Sequence, residues 1–208
     1  MCGIFGVVSL NGLADIDQVN DGIGRISHRG PDGSGTWLSG DGRVALGHRR
    51  LSIIDLSMAS HQPMATDDGR YTIVFNGEIY NYRALRDELM ALGFPFVSTG
   101  DTEVVLAAYR VWGAGCLEKM NGMFALAIHD RGDATHPPQL FFARDRAGEK
   151  PFYYIKDERR FQFASELKSL RHGGRVSLNG LNHYLALGYV PGGLCLFEGV
   201  HKLPPGHC

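Results

Sequence analysis

Residues 2–9 read CGIFGVVS, a short apolar run with Ile4, Val7 and Val8 β-branched, beginning almost at the first residue. A run of this length and composition predicts a buried strand, which ties the N-terminus into a sheet and leaves a cysteine at its start. Beyond this strand, Val19, Ile23 and Ile26 are spaced for one face of a helix over Asp17 to Ser27. HRGPDGSG (His28 to Gly35) breaks that pattern and reads as a loop. Val44–Leu46 and Leu51–Ile54 look like strands around a polar GHRR, and Tyr71–Phe75 like another ending at Asn76-Gly77. Tyr82, Leu85, Leu89 and Leu92 follow helical spacing, stopped by Gly93 and Pro95. Asp101 and Thr102 can cap a second helix running to about Trp112. Strands are then expected at Met123–Ile128, Leu140–Ala143, Phe152–Ile155 and Phe161–Ala164, with short helices at Glu166–Leu170 and Leu178–Leu187. The hairpin-like spacing of these late strands favours antiparallel pairing over repeated βαβ units, so sheets covered by helices are expected.

Composition narrows the class of function. The 208 residues correspond to about 1.4 domains of typical size, and no linker or repeat divides them, so one domain is the simplest reading. Apolar residues at 44% and charged residues at 21% are those of an ordinary globular chain, which argues against a disordered tail or a membrane bundle. Lys plus Arg number 21 and Asp plus Glu 22, so there is no basic excess to neutralise nucleic-acid phosphates. No run approaches the length of a membrane span, and no export leader is evident. Cysteines at 2, 116, 195 and 208 form no CxxC pair, and the histidines show no HxH or HExxH spacing. No disulfide framework and no metal are assigned, and a reducing cytoplasm is the expected location. Cys116, Cys195 and Cys208 acquire no role beyond packing or exposure. Glycine, 28 of 208 residues, is in excess without period or clustering, which predicts many separate backbone positions needing positive φ or close approach.

Four features carry chemistry. Cys2 follows Met1, and methionine aminopeptidase removes Met1 before a small residue, leaving an α-amine and a thiol on one residue. The amine titrates near ~7.7–8.0 and the thiol near ~8.5, so the amine can take the thiol proton directly or through water. The plain alternative for Cys2 is a small buried hydrophobe. Asn76-Gly77 offers a side-chain amide and a backbone N–H as an oxyanion donor pair, against the alternative of an Asn-Gly hairpin turn. The following EIYNY, entering a helix, fits a tight hairpin poorly. Arg50 can fork onto a substrate carboxylate or lie solvated on the surface. Asp101 can hold an ammonium group or cap a helix. A papain-like pairing of a cysteine with His28 or His48 stays open on composition, although a thiol at the mature N-terminus makes it unnecessary.

The blocks MCGIFGVV, HRGPDGSG, GHRRLSIIDLS, QPM, FNGEIYNY, GDTEVVLAAY, GMFALAIHD, FFARDRAGEKPFYY, FASELKSL and LPPGH occur in this order along essentially the whole chain. In this the chain resembles the N-terminal glutaminase domain of glutamine-hydrolysing asparagine synthetases. The resemblance implies an α+β, N-terminal-nucleophile hydrolase fold, a four-layer αββα sandwich of two mainly antiparallel sheets spanning residues 1–208. It implies Cys2 as nucleophile, the Asn76 side chain and the Gly77 N–H as oxyanion donors, and Arg50 as the glutamine-carboxylate partner. The backbone of Leu51, Ser52, Ile53 and Ile54 would also grip glutamine, with Glu78 and Asp101 at its amino group. The implied reaction is hydrolysis of L-glutamine to glutamate and ammonia through a cysteine thioester.

Ala147 replaces a larger aliphatic common at that place in the family, and Pro137-Pro138 lie in a longer loop; both look peripheral to the site. No SGGxDS pyrophosphate loop occurs in the 208 residues. The ATP-dependent synthetase domain is therefore expected outside this chain, together with its ATP and Mg, leaving this domain without a cofactor. The expected partners are L-glutamine, a covalently linked synthetase domain and a second copy in a homodimer; nucleic acid and membrane are not. The ammonia acceptor is expected to be aspartate, with another carboxylate, such as one on a surface-polysaccharide sugar, as the alternative. A catalytically silent domain used for binding or regulation, in which Cys2 is packed or Met1 retained, is the non-enzymatic alternative.

Overall fold

A computed structural model describes residues 1–170 and 174–208. In chain order its elements are β1 (Gly3–Ser9), α1 (Ile16–Arg25), β2 (Gly33–Leu38), β3 (Val44–Arg50), β4 (Met64–Ala65), β5 (Tyr71–Ile79), α2 (Tyr82–Ala91), α3 (Asp101–Trp112) and α4 (Cys116–Lys119). They continue with β6 (Gly122–Asp130), β7 (Gln139–Arg144), β8 (Tyr153–Lys156), β9 (Arg160–Ala164), α5 (Leu178–Leu187) and β10 (His201–Lys202). Two sheets result, one ordered β10-β8-β9-β1-β3-β2 and the other β4-β5-β6-β7, with every named strand pair antiparallel.

Side-chain alternation explains how the sheets are layered. In β1, Phe5 and Val7 pack outward with Val19 and Ile23 of α1, while Ile4 points inward. In β5, Ile73 and Phe75 pack outward with Leu85, Leu89, Val105 and Tyr109 of α2 and α3, while Val74 points inward. Ile4, Leu46, Val74, Ala125, Ala127, Phe152 and Phe163 meet between the sheets. Four layers follow from these three cores: helix, sheet, sheet, helix. The inner layer is aromatic at its middle, where Phe152 and Phe163 stack with ring centroids 5.2 Å apart. Both rings are essentially fully buried, each contributing roughly 1.5–3 kcal/mol. Gly6 is required there, because a Cβ on it would lie 2.3 Å from the Phe163 ring.

The expected helix and strand pattern is observed with local corrections. Of the two strands expected around GHRR, the first continues through it as β3 and the second, residues 51–54, is not strand. Polar His48 and Arg50 do not break it because both are buried inside the fold and hydrogen-bonded there. β5 does not end at Asn76-Gly77 but pairs through them, Asn76 opposite Ala125 and Gly77 opposite Phe124. The supposed loop at 28–35 gives way to β2 at Gly33, whose alternating half-buried and exposed residues GSGTWL carry little apolar signal. The cap of α3 is Gly100 rather than Asp101, and no side chain caps it. Glu166–Leu170 holds only a single 3-10 turn, Leu167–Ser169. The two-residue strands β4 and β10 and the four-residue α4 are too short to leave a periodic pattern. Helix α5 has the expected bounds. Among the described residues, no helix is long and apolar enough to cross a membrane.

Candidate active site

The alternation that builds the inner core also places the polar site. Following Val74 by two residues brings Asn76 to the inter-sheet face of β5, and following Leu46 by two and by four brings His48 and Arg50 to that of β3. Cys2 stands two residues before Ile4 at the start of β1. At this end of the sandwich the apolar layer gives way to a pocket lined by Cys2, Arg50, Leu51, Ser52, Ile53, Ile54, Asn76, Gly77, Glu78 and Asp101. Every residue singled out in the sequence for the site therefore lines one pocket. Gln62, Thr102 and Lys150 line it as well, and only the ordered blocks containing them hinted at this.

Cys2 is half-buried. Its Sγ lies 3.6 Å from the Leu51 carbonyl oxygen and accepts from the Leu51 N–H at 3.4 Å. Burial pushes the thiol pKa up, and this outweighs the opposing Leu51 N–H and the Arg50 charge. A thiol held in that state needs a base to become a nucleophile. The Arg29 Nε donates to the Cys2 carbonyl at 2.8 Å, and Arg29 Nη1 is held by Glu166 at 3.0 Å, which fixes the backbone under the thiol. Neither histidine considered as a partner bonds to Cys2: His28 pairs with Glu166 at 2.9 Å, and His48 Nε2 reaches the Phe75 carbonyl at 3.2 Å. Met1 precedes Cys2 in this structure, and its sulfur accepts from the buried Lys150 ammonium at 3.4 Å.

Asn76 is 1% exposed, and its Nδ2 is buried with no hydrogen-bond partner. An orphaned buried donor costs about 1–3 kcal/mol, so its presence asks for a ligand acceptor. The adjoining Gly77 has no room for a side chain, because a Cβ would meet the Met123 carbonyl oxygen at 2.4 Å. Its N–H lies on the same edge of β5 as those of Phe75 and Ile79, by the two-residue alternation of the strand. The pair thus offers one side-chain and one backbone donor at the pocket.

Arg50 is 7% exposed, and its Nη2 donates to the Asp55 carbonyl at 2.5 Å. No carboxylate lies within ion-pair distance of it among the described residues, which leaves a buried cation open to an anion. The loop after Arg50 is fastened by Asp55, whose carboxylate accepts from the Ser57 and Thr99 N–H groups, both at 2.7 Å. Hydrogen bonding from the Ser57 side chain first, and then from the Thr99 N–H, holds the Asp55 carboxyl well below the usual carboxylate range. Asp101 is the first residue of α3, and its Oδ2 accepts the Ile79 N–H at 2.9 Å. Burial pushes its carboxyl pKa up to about 6 despite that bond, and the Glu78 charge adds to the rise. The pocket therefore has a cation at Arg50, acids at Glu78 and Asp101, and the Cys2 thiol and the Asn76 and Gly77 donors in one lining: a polarity suited to a free amino acid. No group of three or more His, Cys, Asp or Glu arranged to hold a metal occurs among the described residues.

The family model described as "Glutamine amidotransferase domain" matches residues 1–208. The chain is 42% identical over 220 residues to "Asparagine synthetase [glutamine-hydrolyzing] 3" of Bacillus subtilis, covering 100% of this chain and 34% of that protein. It is 35% identical over 218 residues to "Amidase chry2" of Gibberella zeae, covering 100% of this chain and 32% of that protein. The chain thus spans about a third of the length of the curated relatives it matches. Among solved structures, the glutamine phosphoribosylpyrophosphate amidotransferase of B. subtilis superposes with TM-score 0.66 at 21% identity, over 81% of this chain and 42% of that one, a likeness of fold.

Proposed function

The chain belongs to the glutamine amidotransferase domain family, and from that premise we propose that it hydrolyses L-glutamine to glutamate and ammonia with Cys2 as nucleophile. The observation that carries this reading is the buried, unpartnered Nδ2 of Asn76 in the same pocket as the Cys2 thiol. Removal of Met1 gives Cys2 a free α-amine, the base that its proton-retaining thiol requires. The amine takes the thiol proton, directly or through a water, as sulfur attacks the side-chain carbonyl carbon of glutamine. The carbonyl oxygen becomes an oxyanion between Asn76 Nδ2 and the Gly77 N–H. When the tetrahedral adduct collapses, the protonated amine gives its proton to the departing nitrogen, and ammonia leaves a glutamyl thioester. The amine then deprotonates a water that attacks the thioester, and glutamate departs as the thiol is restored. Arg50 binds the α-carboxylate, Glu78 and Asp101 bind the α-ammonium, and the backbone of Leu51, Ser52, Ile53 and Ile54 borders the ligand. Fixing both charged groups selects a free amino acid over a peptide-bound residue.

The names of the relatives, asparagine synthetases that hydrolyse glutamine, support extending the reading to the whole protein: ammonia passes to a linked synthetase portion that makes asparagine. From the family resemblance alone we further propose that this portion uses ATP and Mg to amidate aspartate and that the protein acts in the cytoplasm as a homodimer. A second reading, favoured by the likeness to a protein called an amidase, keeps the glutaminase step and changes the acceptor carboxylate. Supplying the full-length protein with glutamine, ATP and either aspartate or other carboxylates separates the two. For the glutaminase step itself, glutamate release should vanish in Cys2→Ala, and release unchanged by that substitution would remove Cys2 as nucleophile.

A further inference from the structure

The edge of β5 that faces the pocket is almost uncovered by strand. β4 pairs only with Thr72 and Ile73, so the N–H groups of Phe75, Gly77 and Ile79, which share that edge, lie beyond its end. Two of the three are taken by side chains. Gln62 Oε1 accepts the Phe75 N–H at 2.7 Å, and Asp101 Oδ2 accepts the Ile79 N–H at 2.9 Å. Gly77 stands between them. The Phe75 carbonyl on the same edge is held from the opposite sheet by His48 Nε2 at 3.2 Å. Burial keeps His48 neutral, so the proton sits on Nε2 to make this bond, and its Nδ1 is left without a partner. The other end of the Gln62 carboxamide, Nε2, donates to Thr102 Oγ1 at 3.1 Å, beside Asp101 in the first turn of α3. Gln62, Thr102 and His48 are all buried.

We propose that Gln62 is a positioning residue for the oxyanion site, its carboxamide standing in for the missing strand next to Phe75 and linking that residue to α3. Phe75 immediately precedes Asn76, so a clamp on its N–H and carbonyl fixes where the Asn76 side chain and the Gly77 N–H converge. The link to Thr102 ties the oxyanion donors to the helix that carries Asp101, so both ends of the substrate are referred to one frame. Gln62 touches no reacting atom in this role. The inference rests on the glutaminase reading of the site.

The test uses the full-length protein with Gln62→Met, which keeps the length of the side chain and removes both hydrogen bonds. A displacement of the donors by less than an ångström is enough to lower kcat about ten- to a hundredfold, and the KM for glutamine should stay within about twofold. Glutamate γ-semialdehyde, which the Cys2 thiol converts to a tetrahedral hemithioacetal, should lose affinity in step with kcat, whereas glutamate should bind as before. Gln62→Glu, whose carboxyl still accepts the Phe75 N–H and the Thr102 hydroxyl proton, should recover most of kcat. A kcat for Gln62→Met within about twofold of wild type would overturn the proposal. So would a parallel loss of kcat, glutamate affinity and aldehyde affinity together with folded protein, which marks a merely structural residue. Absence of glutamine hydrolysis in the wild-type protein would instead overturn the glutaminase reading itself.

Discussion

Asn76→Ala separates the cost of the proposed oxyanion donor from its benefit. In the free protein Asn76 Nδ2 is buried and unpartnered, a state that costs about 1–3 kcal/mol. Alanine removes that penalty but also deletes a side chain that is 1% exposed, and the small void left behind opposes the gain. The two contributions are similar in size, so stability should change by no more than about 1 kcal/mol, a shift in Tm of roughly 2–4 °C for a chain of this length. Catalysis should respond on a different scale, because loss of one oxyanion donor typically removes about 2.7–4 kcal/mol of transition-state stabilisation, or about 10²–10³ in kcat. The KM for glutamine should change little, since the ground-state carbonyl gains less from the donor than the oxyanion does. Enzyme-coupled detection of glutamate and a thermal melt on the same preparation measure both quantities. A kcat within about threefold of wild type would refute the donor assignment. A fall in Tm beyond about 8 °C accompanying the loss of activity would show that Asn76 holds the fold instead.

Gly77→Ala should behave oppositely in stability, because its Cβ would meet backbone, the Met123 carbonyl oxygen at 2.4 Å; melts should show a loss of about 1–3 kcal/mol along with the loss of activity. Arg50→Ala should raise the KM for glutamine about ten- to a hundredfold, the worth of a charge-assisted pair, with a smaller effect on kcat, and an unaltered KM would take Arg50 out of the carboxylate role. The carboxyl of Asp101 titrates at about 6 in the fold, so the KM for glutamine should climb as pH falls through 6 and the ammonium loses its partner; Asp101→Asn should give a high KM nearly flat with pH over that range. The same raised pKa sets a stability sign: the folded state holds a proton on Asp101 between about pH 6 and 4 that the unfolded chain does not, so this residue adds stability as pH falls through that window. Asp101→Asn should abolish that contribution, read as the difference in Tm between pH 7 and pH 5.

Much of the site was legible because the chemistry sits where the strand pattern does. Cys2 immediately precedes the first strand, and Asn76 and Arg50 share the alternation of Val74 and Leu46, so an inward apolar face predicts where polar residues at its end must point. The Asn-Gly pair misleads as a turn signal, since it lies inside β5 and pairs in the ladder with Ala125 and Phe124. The error at GHRR has the same origin: polarity suggests solvent, whereas His48 and Arg50 are buried with specific partners. Asp101 combined two readings in the sequence, an ammonium partner and a helix cap; the cap position of α3 is Gly100, and the Asp101 carboxylate accepts the Ile79 N–H inside the pocket. The roles of Gln62 and Asp55 could not be read from spacing, because each depends on contacts across the chain: Gln62 with Phe75 and Thr102, Asp55 with Thr99. No local pattern encodes such long-range hydrogen bonds.

In the proposed reaction a thiol at the mature N-terminus carries the glutamyl group. Mixing Met1-free protein with glutamine, quenching in acid within the first turnover and weighing the intact chain tests it most directly. A population heavier by one glutamyl group should appear, located on the N-terminal peptide, sensitive to hydroxylamine and absent from Cys2→Ala. Steady glutamate release with no such adduct in the wild-type chain, or with the same adduct in Cys2→Ala, would contradict it.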